Sequence, residues 1–370
     1  MDINQIYAIV NTVTQQAMGS TALAVIDNSS LVALGDAVLS STTNTENWTG
    51  TLLQRIGRTI IKNRRYNAHY QNMLRDDMEW GAILQKIAVL MPEFESDQSY
   101  DIANGGTVDH YKVNKLTVKQ KLFITETPYQ LHISIKREDL EEAFTSAAAM
   151  NGFIAAQFGA VQNKINLAME NLSMNTVNNY IAEVNGTARE RKLLTEFNAA
   201  TGGKLTAATA MQSDEFLRYA VKQIKLASDR MTRMTKGIFN DDAYENHTPY
   251  DLQRLYISAE YERSLETVTQ YQAFKDRYVQ LDGYETVPFW QSIQTPNNID
   301  IKRASDDTET KVNNIIGVLF DYEALGTYKK KMWSATTPLN AAGGYINYYW
   351  HFKDLYFNDL SENFVSFIIA

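Results

Sequence analysis

One apolar stripe in the middle of the sequence constrains the fold more than any other feature. Its members recur at spacings of 4, 3, 4, 3 and 4 residues, which is the repeat of one helix face. The stripe predicts a helix of about 30 residues, about 45 Å long, that continues towards Tyr180 and ends before Gly186. A helix with a single apolar face has to lie across a sheet or a second helix. The stripe consists of Ile154, Phe158, Val161, Ile165, Ala168 and Leu172.

Short β-like runs precede this helix between Gln85 and Ile135. Apolar and polar residues alternate from Leu131 to Ile135, and Asn104-Gly-Gly106 is a hairpin signal. Too few residues are apolar for a free-standing core, so the segment is typical of a long, two-sided β excursion. The runs are Ile87–Leu90, Tyr111–Val118, Leu122–Ile124 and Leu131–Ile135.

A mixed region follows the long helix, and we therefore predict the α+β fold class. Ser213 is the predicted N-cap of a helix, with Asp214 and Glu215 in its favourable first turn. The aromatic and apolar C-terminal strand is expected to be buried in a sheet. The other expected elements are strand 254–257, a helix from Ser258 to about Phe274, and strands 287–290, 315–320, 345–352 and 364–369.

The first 50 residues are rich in Thr, Ser, Asn and Ala, and they contain four acids and no Lys or Arg. Alone, they could bury little surface, so we predict an arm that packs on something else. Residues 51–75 then carry Arg55, Arg58, Lys62, Arg64, Arg65 and Arg75 without any acid. Such basic residues could contact DNA phosphates, pair with acids of neighbouring subunits, or be solvated.

Composition excludes several classes of protein. The 370 residues contain no cysteine, which rules out disulfides, thiolate zinc sites and thiol nucleophiles. The net charge of −8 argues against a generic DNA-coating protein and suits a subunit that accumulates without precipitating. We expect neither a signal peptide nor a membrane span.

Motifs for catalysis are missing or broken, and we assign no catalytic, cofactor-binding or metal-ligating residue. Thr201-Gly-Gly-Lys-Leu-Thr206 lacks the hydroxyl residue that a phosphate loop needs after Lys204. Asp241, Asp242, Glu245 and His247 could hold a divalent cation, but their spacing matches no calcium loop, and a polar surface loop is the alternative. The remaining histidines, His69, His110, His132 and His351, are scattered surface or strand residues.

The order of elements resembles the HK97-type fold of tailed-phage major capsid proteins. Local sequence is similar to the capsid proteins of small short-tailed phages of the picovirinae type. The blocks that carry this resemblance are Leu52-Leu-Gln-Arg-Ile-Gly-Arg-Thr-Ile-Ile61, Leu255-Tyr-Ile-Ser-Ala-Glu-Tyr261 within 252–274, Gly343-Gly-Tyr-Ile-Asn-Tyr-Tyr-Trp-His351 and Asn363-Phe-Val-Ser-Phe-Ile-Ile-Ala370.

The resemblance implies a division of the chain into named parts. They are an N-terminal arm (1–60), the start of the P-domain (61–84), an extended E-loop (85–135), the P-domain with its spine helix (136–205), the A-domain (206–330) and the C-terminal return strands of the P-domain (331–370). Deletion of residues 1–50 is then expected to leave soluble monomers or capsomers with intact helix content.

By the same resemblance, the chain is expected to be a non-enzymatic shell subunit without a cofactor. Copies would form pentamers and hexamers of an icosahedral shell, assisted by a scaffolding protein and a portal in the host cytoplasm, and would enclose double-stranded DNA non-specifically in the virion. The E-loop would lie over a neighbouring subunit. Alternatives are an encapsulin-like compartment, a phage connector or tail protein, and a metal-dependent hydrolase that uses Asp241, Asp242 and His247.

Overall fold

The computed structural model describes residues 3–19, 24–62, 69–70, 73, 75, 84–92, 94–100, 102–109, 111–124, 126–241, 244–268 and 284–370. The helices are α1 (Ile3–Met18), α2 (Asn28–Leu39), α3 (Thr42–Lys62), α4 (Arg137–Ala143), α5 (Ala147–Val184), α6 (Leu193–Thr201), α7 (Ala207–Ala210), α8 (Asp214–Met231) and α9 (Ala259–Val268). Among the described residues, no helix has both the length and the apolar content needed to cross a membrane.

The strands form several small sheets and two larger ones. The strands are β1 (Leu84–Val89), β2 (Val118–Phe123), β3 (Glu126–Lys136), β4 (Glu190–Lys192), β5 (Thr235–Lys236), β6 (Glu245–Asn246), β7 (Gln253–Ser258), β8 (Tyr284–Val287), β9 (Ile299–Lys302), β10 (Glu309–Val312), β11 (Ile315–Asp321), β12 (Leu325–Thr336), β13 (Tyr345–Asn358) and β14 (Phe364–Ile368). The larger sheets have the strand orders β12-β13-β3 and β4-β14-β11-β7-β8.

Helix α5 contains the predicted stripe and is longer than predicted, with 38 residues. The hydroxyl of Ser146 caps it by accepting the backbone N–H of Ala149 at 3.1 Å. Gly186, with φ +75°, follows its C-terminal end as predicted.

The buried face of α5 departs from the predicted stripe in its second half. Val161 and Ile165 are buried, but Ala168 and Leu172 are only half-buried, and Met169 and Ser173 take their places. The reason is that a 4-3 repeat averages 3.5 residues per turn, whereas a straight helix turns every 3.6 residues, so the buried face drifts along the sequence. The side chain of Phe158 lies outside the described part of the chain.

Helices α1, α2 and α3 pack on the rest of the same chain. Trp48 is buried, its ring lies 5.0 Å from that of Phe144, and its indole N–H donates to the Thr14 hydroxyl at 3.1 Å. As predicted, the segment packs on something else: the long helix and the sheet of the same chain, on which it is folded as three helices. The shared core includes Ile6, Val10, Val13, Leu31, Leu34, Val38, Trp48 and Leu52 with Met150, Ile154 and Trp350.

The C-terminal strand is buried in a sheet, as predicted. Strand β14 lies between β11, which is antiparallel to it, and β4, which is parallel. All five of its residues are buried. Helices α6, α8 and α9 contribute the side chains that share a core with this sheet.

Helix α8 begins where the sequence predicts. Ser213 accepts the backbone N–H of Phe216 at 3.4 Å, and the apolar face of the helix is buried. The strand predicted at 287–290 is wrong in position, because β8 ends at Val287, where Pro288 cannot donate to a ladder. The predicted extension of α9 to Phe274 lies outside the described residues.

Substitution by alanine is expected to have opposite effects on stability at two glycines, Gly317 and Gly152. A Cβ at Gly317 of β11 would lie 2.5 Å from the carbonyl oxygen of Tyr256, whereas a Cβ at Gly152 of α5 would meet nothing within 4 Å. Gly317→Ala is therefore expected to destabilise the fold by about 1–3 kcal/mol, and Gly152→Ala to stabilise it by about 0.5–1 kcal/mol. Urea denaturation of both variants checks this. Equal effects would contradict the packing around β11.

The strands of the β excursion lie at its two ends, and its middle contains less strand than predicted. Strands β1 and β2 pair antiparallel from Leu84 with Phe123 to Val89 with Val118, and we call this pair the excursion hairpin. The residues between the strands, 90–117, form the excursion loop, which has a turn at Asn104 and Gly105. The predicted strand at Tyr111–Val118 is wrong up to Thr117, since the described chain supplies only one further ladder bond there, from Leu90 N–H to the Thr117 carbonyl at 2.9 Å.

Candidate assembly surfaces

The polar loop that carries Asp241, Glu245 and His247 packs on the turn that follows β13. All three residues are exposed, and the backbone N–H of Asp241 donates to the Leu360 carbonyl at 3.1 Å. Asp242 lies outside the described residues. Within the described part of the chain, no three His, Asp or Glu side chains are grouped so that they could hold a metal ion.

The 201–206 segment closes the C-terminal end of α6. Gly202, with φ +71°, is the left-handed cap, and the side chain of Asn198 bonds both the N–H and the carbonyl of Leu205, at 3.1 and 3.0 Å. This geometry is that of a capped helix end.

The basic stretch 55–75 is described at Arg75, which makes internal contacts. Its guanidinium donates to the Leu325 carbonyl at 2.8 Å and lies 3.2 Å from the centroid of the Tyr322 ring. Burial lowers its pKa to about 10. Arg75 is therefore part of the body. The other basic side chains of the stretch lie outside the described part of the structure.

The excursion hairpin has its polar and apolar faces reversed relative to an ordinary surface hairpin. Lys86, Lys119 and Lys121 point towards the body, where they are half-buried. Ile87 and Val118 point to solvent, and 61% and 58% of their surfaces are exposed. Alternation along a strand puts charge on one face and apolar residues on the other, and here the apolar face has no partner within the described chain.

Exposed apolar residues are concentrated in this excursion. Of the 21 large apolar side chains that are exposed among the described residues, 13 lie between residues 87 and 124. They include Phe94 and Tyr111, which are almost fully exposed. Clustering of this kind marks an interaction surface, whereas single exposed apolar residues do not. The excursion is therefore the strongest candidate for an assembly surface.

A second candidate lies on the outer face of the β12-β13-β3 sheet. Trp333 is 52% exposed, and its ring stacks on that of His351 with centroids 3.7 Å apart. Tyr349 and His132 extend the row on the neighbouring positions, with ring centroids 5.9 Å apart. We call these four residues the aromatic sheet face. Two scattered histidines of the sequence thus share one surface, whereas His69 lies 3.3 Å from Glu285 elsewhere and His110 lies outside the described residues.

Reasoning from the sequence missed Trp333 and the direction of the hairpin faces. Strand pairing is a signal that could have found Trp333, because residues directly opposite each other on neighbouring strands share one face of the sheet. The direction of the hairpin cannot be read from its alternation, since both faces follow the same period of two.

Comparison with known proteins gives one family and several structures. The model of the family described as Phi29-like phage major capsid protein matches residues 6–368. No curated protein matches. A chain of the capsid structure of Staphylococcus phage Andhra has a TM-score of 0.56 at 9% identity, covering 82% of this chain and 84% of that one. A chain in the structure of the head fiber and inner core protein gp22 of native bacteriophage P68 has a TM-score of 0.54 at 9% identity, covering 81% and 84%.

At 9% identity, these structural likenesses establish a shared fold and nothing further. They confirm the predicted α+β fold class, of the HK97-type kind found in phage capsid subunits.

Proposed function

Because this chain belongs to the Phi29-like phage major capsid protein family, we propose that it assembles into the hexamers and pentamers of an icosahedral shell that encloses double-stranded phage DNA. Membership makes the chain a structural protein of the phage head. It favours the shell over the encapsulin, connector and hydrolase alternatives. In this proposal the phage is a small short-tailed one of the picovirinae type.

The observation that carries the proposal is the reversed hairpin. Its outer face and the excursion loop expose apolar side chains that a soluble monomer would bury, and such surface is stabilised when another molecule covers it. In a shell of identical subunits, that molecule is a neighbouring copy. The excursion thus acts as the E-loop. The apolar surface that it does not bury within its own subunit is buried against a neighbouring subunit.

The domain division predicted from the sequence is carried into this proposal with one change. Residues 1–60 are assigned to the N-terminal segment, which packs as helices on its own P-domain and contacts neighbours from there. Residues 61–84 and 136–205 supply the P-domain, and 206–330 the A-domain. The return strands, 331–370, belong to both large sheets, since β12 and β13 lie in one and β14 in the other.

The proposal places assembly in the host cytoplasm, on a scaffolding protein and from a portal. DNA contacts are non-specific, through phosphates. In this proposal the scaffold guides the exposed apolar surfaces into one shell curvature.

Electron microscopy of the purified chain tests the proposal directly. Negative staining of the chain, expressed with and without a scaffolding protein, is expected to show closed particles or rings of five and six subunits. A homogeneous small species under every condition would contradict the shell.

Charge on the outer hairpin face is expected to block assembly without unfolding the subunit. The double variant Ile87→Lys and Val118→Lys puts two unpaired charges into the proposed contact, and burying such a charge is strongly unfavourable. We expect the yield of particles to fall at least about tenfold while the circular dichroism spectrum stays unchanged.

The matched control keeps the face apolar. Ile87→Val with Val118→Ile exchanges the two side chains and is expected to assemble like the unmodified chain. Normal particles from the lysine variant would show that the hairpin face is not an intersubunit contact.

A further inference from the structure

The inner face of the excursion hairpin is held by charges. Lys86 Nζ lies 2.8 Å from Asp359 Oδ2, and Lys121 Nζ lies 2.9 Å from Asp359 Oδ1, so one carboxylate bridges both strands. Glu362 forms a second ion pair with Lys86 and accepts a hydrogen bond from the side-chain amide of Asn246.

The acidic side of this contact is built into the body. Asp359 is 99% buried at its side chain, and the hydroxyl and backbone N–H of Ser361 bond its Oδ1 at 2.6 and 3.0 Å. The Tyr180 hydroxyl of α5 donates to the Asp359 carbonyl at 3.0 Å, and Arg189 donates to the Leu360 carbonyl at 3.2 Å. The turn between β13 and β14 is therefore fixed by groups that do not belong to the hairpin.

The basic side is more accessible to water. The side chains of Lys86 and Lys121 are 27% and 30% exposed. The ring contact between Phe123 and Phe357, with centroids 5.0 Å apart, adds an apolar anchor at one end. A lysine ammonium group near the protein surface can leave its carboxylate partner and be hydrated by water instead. A hairpin attached by an apolar core would, in contrast, expose that core to water when it detached.

We infer that Lys86, Lys121, Asp359 and Glu362 form an ionic latch that sets the direction in which the excursion leaves the body and that opens while the body stays folded. The inference rests on the proposed function, because it gives the intersubunit arm a closed and a released position. Release lets one subunit present its apolar hairpin face at different angles to different neighbours.

Acid and salt act on this latch differently. Burial raises the pKa of the Asp359 carboxyl, but Lys86, Ser361 and Lys121 lower it by more, so its pKa lies below the ordinary 3.8. A depressed carboxyl pKa gives stability that is present above the ordinary value and is lost as the pH falls through the folded-state pKa. The latch is therefore closed at neutral pH and opens in strong acid. Salt weakens it at any pH, because the lysines are partly exposed.

Other charged and titratable groups surround the four members of the latch. Because each of these groups can modulate the latch, substitutions at constant pH test it more directly than a change of pH. The surrounding groups are Lys119 and Tyr244, whose ammonium and ring centroid lie 4.8 Å apart, Glu323 at 3.9 Å from Lys86, and Asp321, Tyr180 and Arg189 behind the turn.

Spin labels measure the hairpin direction in a chain that has no native cysteine. Gln120 on the outer hairpin face and Lys222 on α8 are both exposed, so labels can be attached to the variant Gln120→Cys with Lys222→Cys. Pulsed electron paramagnetic resonance then gives the distance between the two labels. The full chain, kept unassembled, is expected to give one narrow distance. Lys86→Gln with Lys121→Gln is expected to broaden that distribution at least about twofold, because the charge-assisted bonds are lost.

Two further variants secure the result. Lys112→Gln removes an exposed ion pair with Glu95 in the excursion loop and is expected to leave the distribution narrow. Asp359→Asn is expected to broaden it, and the lysine pair still reports if that variant fails to fold. An unchanged narrow distance in the lysine variant, with its helix content intact, would overturn the latch. Since the measurement is made before assembly, that outcome is separate from failure of shell formation.

Discussion

A chain that lacks residues 1–50 is expected to lose the cooperative folding of its long-helix half. Helices α1 and α2, with the first half of α3, supply buried side chains to the same core as Ile154 and Trp350. Eight buried side chains of this core lie within residues 1–50, and each large apolar side chain contributes about 1.5–3 kcal/mol when buried, so the truncated chain would leave the rest of the core open to water. Thermal unfolding by circular dichroism and light scattering are expected to show an aggregating chain without a sharp transition.

Single substitutions in the same segment measure how much one side chain contributes to the stability of this core. Trp48→Ala is expected to destabilise the fold by about 3–5 kcal/mol, because it removes a fully buried ring and leaves the Thr14 hydroxyl without its donor. Ile26→Ser, at a side chain that is 79% exposed, is the control and should leave the free energy of unfolding unchanged. A soluble truncated chain with intact helix content, as the sequence first suggested, would contradict the shared core.

The sequence predicts elements whose burial pattern is complete within one segment. The α5 helix, the Ser213 cap and the aromatic C-terminal strand are of this kind. The cap and the strand lie where they were expected, and α5 contains the predicted stripe, although its buried face departs from that stripe in the second half. Helix α1 was missed although Ile6, Val10 and Val13 recur at helical spacing, because Thr, Asn and Gln between them resemble an unstructured arm. Its core partner Met150 lies more than a hundred residues away, which local reasoning does not reach.

The candidate assembly surface was predicted in outline, as a β excursion without a free-standing core. Its chemistry depends on which face of the hairpin points to the body, and that is fixed by carboxylates far along the chain. Asp359 and Glu362 follow the hairpin by more than 200 residues and look like ordinary turn acids in sequence. Only the fold brings them to Lys86 and Lys121.

Replacement of Phe364 by alanine is expected to have the largest effect of any single substitution in the five-stranded sheet. The ring is fully buried, lies 3.9 Å from that of Tyr180 in a stacked arrangement, and lies 6.0 Å from that of Phe320. It therefore joins the long helix to the central strand. Phe364→Ala should lower the free energy of unfolding by about 3–5 kcal/mol, measured by guanidinium denaturation.

Leucine at the same position separates ring stacking from simple filling of space. Phe364→Leu keeps most of the volume and is expected to cost about 1–2 kcal/mol, part of it from the lost aromatic contact. If both substitutions cost the same, the cavity left by alanine must have been closed by rearrangement around Tyr180, and the junction between α5 and β14 would be softer than its buried packing indicates. If alanine lowers the free energy of unfolding several times more than leucine does, the junction between α5 and β14 is rigid. The turn that carries Asp359 is then rigid as well, because this turn lies between β13 and β14 and accepts a hydrogen bond from the same Tyr180.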